Sequence, residues 1–114
     1  MTQDGADRAI RQAIGGDPGA MSRIVAQADA SNDALVITVA ALVEGNPARL
    51  GRAGAVARTT RDRQVVAIAR AHLDGQNELV DAFARDHLVD YPDSLIVSWI
   101  ASDGAARARG RASS

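Results

Sequence analysis

The sequence predicts an all-α domain, and three observations carry the prediction. Ala occurs 24 times, while Phe, Tyr and Trp occur once each. Alanine is the strongest helix former and lets helix backbones approach closely. The β-branched residues are scattered, without the polar–apolar alternation of a half-buried strand. The chain also repeats itself at a spacing of about thirty residues, with glycine and proline punctuating the copies.

The repeat is read by sliding the chain along itself. Asp33-Ala34-Leu35-Val36-Ile37 falls over Arg63-Gln64-Val65-Val66-Ala67 and then over Asp93-Ser94-Leu95-Ile96-Val97. Ala41, Ala71 and Ala101 coincide, and Val43-Glu44-Gly45 falls over Leu73-Asp74-Gly75. A shift one residue smaller places Gly16-Asp17-Pro18 over Gly45-Asn46-Pro47. Each copy reads as a helical hairpin.

The elements follow in chain order. A first helix over 6–14 ends at Gly15/Gly16, where glycine permits a left-handed C-cap. Asp17 as N-cap and Pro18 in the first turn start a helix over 18–29. Asp33 starts 33–44, an apolar run that stops at Gly45. Asn46 and Pro47 open 47–58, in which Gly51 and Gly54 weaken the helix or permit close helix approach. A helix over 62–73 ends at Gly75 and is followed by 76–90. Asp93 begins the last helix, 93–102. One domain is expected over 1–103, with a basic disordered tail, AARARGRASS, filling most of 104–114.

Gly75-Gln76-Asn77-Glu78, Leu88 and Tyr91-Pro92-Asp93 carry the spacing of the second helix and exit turn of a tetratricopeptide repeat, and the chain resembles that family here. The resemblance rests chiefly on 61–93, extends more thinly over 31–60, and touches 1–30 only through punctuation. Ala71 stands where the motif has Tyr, and Val80 where it has small Ala. Gln64 and Ala67-Ile68 replace its Trp and Leu-Gly, and the period is near thirty rather than 34. The resemblance implies a short right-handed α-solenoid of about three hairpins plus a terminal helix. It also implies a protein-binding adaptor rather than an enzyme. An unrelated Ala-rich helical bundle is the alternative fold.

Composition excludes several function classes. With no cysteine there is no disulfide framework, thiolate metal site or cysteine nucleophile, and with no lysine no Schiff base or P-loop lysine. A net charge of −1 argues against a nucleic-acid-coating chain. Met1–Ile10 has no apolar stretch resembling a signal peptide, and Ala34–Val43 and Leu95–Ala101 are too short to span a bilayer. A cytoplasmic location is the resulting expectation.

Charge is nevertheless segregated. Residues 34–73 carry a net +4 and residues 74–103 a net −6. The basic block of Arg49, Arg52, Arg58, Arg61 and Arg63 lacks interleaved aromatics. It therefore reads as solvated or internally paired, with nucleic acid a weak third option.

The apolar pattern points to an interface. Helices 33–44 and 62–73 are apolar almost all round, whereas Leu79, Val80, Phe83, His87 and Leu88 form one face of 76–90. Leu95, Ile96, Val97, Trp99 and Ile100 leave the last helix scarcely a polar side, with no later helix to cover it. It either packs in a homodimer or against a partner, or folds back into a monomeric core of seven short helices. In the tetratricopeptide register the groove face carries Asn32, Leu35, Val39 and Leu42, then Asp62, Val65, Ala69 and His72, then Leu95, Trp99 and Ser102. Leu35, Val39, Val65, His72, Leu95, Ile96 and Trp99 are thus the candidate interface or groove, with ordinary core as the competing reading.

Catalytic chemistry has little support. His72 and His87 lie fifteen apart with no compact ligand spacing, and His87 reads as a hydrogen-bonded structural histidine on a buried stripe. No serine stands in a nucleophile elbow, and Asp86 and Asp90 sit on a solvated face. No cofactor is expected. The leading function is a protein–protein interaction module; the alternative is a small-molecule binder or minor enzyme using an apolar pocket near Trp99 and His72.

Overall fold

The computed structural model describes residues 4–15, 18–102 and 106. Among them the chain forms seven helices and no strand. These are α1 (Asp4–Gly15), α2 (Pro18–Asp29), α3 (Ala34–Glu44), α4 (Ala48–Val56), α5 (Thr60–Leu73), α6 (Asn77–Asp90) and α7 (Leu95–Ala101). Every boundary falls within two residues of the sequence-based expectation. The expected Asp17 cap, and all of the 104–114 tail except Ala106, lie outside the described residues.

The thirty-residue repeat has a backbone counterpart. Gly45 and Gly75 are both left-handed, at φ 66° and 75°. In each turn the residue after the glycine donates back across the helix end: Asn46 N–H to Ala41 C=O and Gln76 N–H to Ala71 C=O, both 2.9 Å. Ala41 and Ala71 are the residues that coincide when the sequence is slid by thirty. Those two bonds satisfy carbonyls that the helix cannot pair internally. At the helix starts, Asp33 accepts from Leu35 N–H at 2.9 Å, and Thr59 accepts from Asp62 N–H at 3.0 Å. Asn46 accepts from Ala48 N–H at 3.1 Å. Asp93 does not cap α7. Ser94 occupies that position without a side-chain cap bond, and Asp93 faces Arg61 instead.

The core is organised around α3. All ten residues from Ala34 to Val43 are buried, and α1, α2, α4 and α5 pack around them. Thr38, the polar member of that run, donates its hydroxyl to Ala34 C=O at 2.7 Å and so enters the core satisfied. α5 forms the second hub, touching α3, α4, α6 and α7. Contrary to expectation it is amphipathic: Val65, Val66, Ile68, Ala69 and Ala71 are buried, but Arg63, Ala67 and Arg70 are exposed.

α7 is covered by the chain itself. It packs against α1, α5 and α6, and Ile96, Val97, Trp99 and Ile100 are all buried. Of the readings left open for this helix, fold-back into the chain's own core describes its burial, with α1 supplying surface. Contact between the first and last helices is one that a nearest-neighbour stack of hairpins does not make. The molecule measures 33 × 26 × 25 Å.

Two further expectations change. The buried stripe of α6 is Val80, Ala84 and His87, while Leu79 and Phe83 stand 40% and 41% exposed. Gly51 and Gly54 do not serve close helix approach, since a Cβ added at either would meet nothing within 4 Å.

These geometries separate the glycines. Gly75→Ala is expected to lower stability by roughly 1 kcal/mol or more, because Cβ is disfavoured at positive φ. Gly51→Ala and Gly54→Ala are each expected to raise it by about 0.5–1 kcal/mol. Urea midpoints check both, and effects of one sign at all three positions would contradict the assignment. Trp99→Ala is expected to cost about 3–5 kcal/mol as a core truncation. That loss should be the same at protein concentrations tenfold apart, whereas a loss that varied with concentration would return Trp99 to a subunit contact.

Candidate functional site

The packing of α6 on α5 through small side chains leaves a groove beside the seam. Its volume is about 270 Å³, and it is lined by Gln64, Ala67 and Ile68 of α5 and by Phe83, Asp86, His87 and Asp90 of α6. Helical spacing explains the grouping. Gln64 and Ile68 are i, i+4 on one helix; Phe83, His87 and Asp86, Asp90 are i, i+4 pairs on the other. Ile68 is buried and Phe83 partly open, and Asp86 and Asp90 are exposed. Leu79, one turn before Phe83, prolongs the apolar strip toward the start of α6. The groove thus has an apolar end and an acidic end.

His87 sits in the wall between them, only 2% exposed. Its Nδ1 lies 2.8 Å from Gln64 Oε1. A carboxamide oxygen only accepts, so Nδ1 carries the proton and Nε2 presents a lone pair. That Nε2 is buried and has no hydrogen-bond partner. The ring is held from behind by Tyr91, with centroids 4.8 Å apart at 36°. Arg61 lies over the Tyr91 ring at 4.6 Å and pairs with Asp93 at 3.7 Å. Burial, and next the charge of Arg61, push the His87 pKa below its ordinary value, with Asp90 partly opposing them. The imidazole is therefore neutral at pH 7.

Arg61 Nε and Nη2 and Ser94 Oγ are likewise buried without a hydrogen bond. Ser94 N–H donates to Tyr91 C=O at 3.1 Å. The buried side-chain polar atoms without a hydrogen bond among the described residues therefore gather around Tyr91, where α5 begins and α6 gives way to α7.

None of the seven residues expected to form an interface lines this groove. Leu35, Val39, Val65, Ile96 and Trp99 are buried in the core, and His72 and Leu95 are half-buried. The five buried positions are filled interior rather than an open concave face. The basic block is largely consumed inside the chain. Arg49 bonds Asp29 at 2.7 Å and also Glu44, and Arg52 donates to Ala28 C=O at 2.8 Å and to Ser31 C=O. Arg58 and Arg63 are exposed. Among the described residues no group of three or more His, Asp or Glu could hold a metal ion, and no helix is long and apolar enough to cross a membrane.

The depressed His87 pKa fixes a sign for pH dependence. The unfolded chain binds this proton more readily than the folded one, so the contribution is fully present above about pH 6.5 and is lost as pH falls below it. The urea midpoint of the wild type is expected to drop between pH 7.5 and 5. His87→Gln should show a smaller drop, and equal drops would remove His87 as the cause.

No protein-family model matches the chain, and no curated protein or solved structure matches it.

Proposed function

We propose that the chain is a non-catalytic protein-interaction module that seats an amphipathic helix of a partner protein in the α5–α6 groove. The observation that carries this reading is Phe83, 41% exposed in a groove floored by buried Ile68, with Leu79, 40% exposed, one turn earlier on the same helix. An apolar strip beside a groove accepts the i, i+3/i+4, i+7 ridge of a helix. The partner's chemistry follows from charge. Asp86 and Asp90 line the groove, and residues 74–103 carry a net −6, so the matching helix has an apolar ridge and a basic flank.

The alternative, a small-molecule or minor-enzyme pocket near Trp99 and His72, is less favoured because Trp99 is packed into the core. The tetratricopeptide-like hairpins supply the scaffold in this reading, with α5–α6 as the copy closest to that motif. Arg49 and Arg52 of the basic block are engaged with Asp29, Glu44, Ala28 C=O and Ser31 C=O, which weakens the case for nucleic acid.

Designed 18-residue helical peptides with a Leu ridge and an Arg or a Glu flank, fluorescein-labelled, test this by polarisation. The Arg-flanked peptide is expected to bind in the range of about 10–100 µM. Phe83→Ala should weaken it about tenfold or more, while Val89→Ala, at a 77% exposed position outside the groove, should not. Equal affinity for wild type and Phe83→Ala, or stronger binding of the Glu-flanked peptide, would overturn the proposal.

A further inference from the structure

We infer that the acidic end of this groove is a seat for a single arginine side chain, whose guanidinium lies among Asp86, Asp90 and His87 Nε2 with Phe83 beside its plane. The inference rests on the docking reading above and adds to it the residue type recognised.

Four observations converge on that chemistry. Asp86 and Asp90, one helical turn apart, are carboxylate acceptors lining one groove, and both are exposed. His87, lining the same groove, is buried at 2% exposure with an acceptor nitrogen that nothing in the chain satisfies. A buried acceptor without a donor is costly, and a ligand N–H removes that cost. Phe83 offers a partly open ring of the kind on which a guanidinium stacks. Ala67 and Ile68 give the aliphatic stem an apolar bed. The carboxylates of Asp86 and Asp90 and Nε2 of the neutral His87 all accept, and arginine supplies five N–H donors in a fixed plane.

Lysine fits less well. An ammonium is a compact point charge that does not stack, and it shares its three donors around one nitrogen. Gln64 Oε1 is occupied by His87 Nδ1, which fixes the tautomer and leaves Nε2 as the acceptor. The depressed pKa of His87 keeps that nitrogen unprotonated at neutral pH. Arg61, whose charge acts on His87, is engaged with Tyr91 and Asp93.

The experiment uses the full chain and three peptides identical except at one flank position, which holds arginine, lysine or citrulline, the uncharged isostere of arginine. The expected result is a loss of about tenfold or more from arginine to citrulline and a smaller loss for lysine. Asp86→Asn with Asp90→Asn should bring the arginine-to-citrulline ratio close to one, leaving binding of the apolar ridge in place. In ¹⁵N spectra of the imidazole, the arginine peptide should shift Nε2 of His87 more than Nδ1, a readout that needs no substitution at the buried histidine. If arginine and citrulline peptides bind equally, or the Asn variants keep the preference, the arginine seat is wrong while the docking groove stands. If no peptide binds, the docking reading fails and the seat falls with it.

Discussion

An α-helix with no polar side cannot meet water, and α3 is such a helix from Ala34 to Val43. Ten consecutive buried residues, Ala34 to Val43, leave no face for solvent. Four helices are needed to wrap it, and α1, α2, α4 and α5 do so. Once those four are placed, the remaining apolar surfaces of α1 and α5 are close enough for α7 to bridge them. The short last helix thus becomes interior, and the order of helices in space follows largely from the demand to cover one of them.

The candidate site is a by-product of how α6 is attached. A seam built from Val80, Ala84 and His87 brings the backbones near each other because alanine is small, and it turns the larger Leu79 and Phe83 sideways. His87 enters the seam with one nitrogen matched by Gln64 and the other unmatched. Polar groups inside apolar seams are tolerated when they are paired. In this seam a half-paired one lies beside an open groove.

The helices were legible in the sequence because their ends are chemically marked. Gly45 and Gly75 both take the left-handed conformation expected from their recurrence, and α2 begins at Pro18 as expected. The buried face of α6 was not legible, since hydrophobicity ranks Leu79 and Phe83 above Ala84 and His87. The packing seam is chosen by fit rather than by apolarity alone. The burial of α7 was hidden for a different reason: its cover comes from α1, some eighty residues earlier in the chain, and no local pattern encodes such a contact. His87 as a buried, hydrogen-bonded histidine was readable from its spacing to Phe83 and Tyr91, but the groove it lines was not.

One helix of the wrapping is fastened partly by charge. α4 buries Leu50 and Ala53 outright and carries Gly51 and Gly54 in its middle. Besides its packing on α3, it is tied by Arg49 to Asp29 and Glu44 and by Arg52 to Ala28 C=O and Ser31 C=O. The cover over the most apolar helix of the protein is thus secured in part by ion pairs. Raised ionic strength weakens partly exposed charge pairs, so the seating of α4 on α3 is expected to loosen as salt rises.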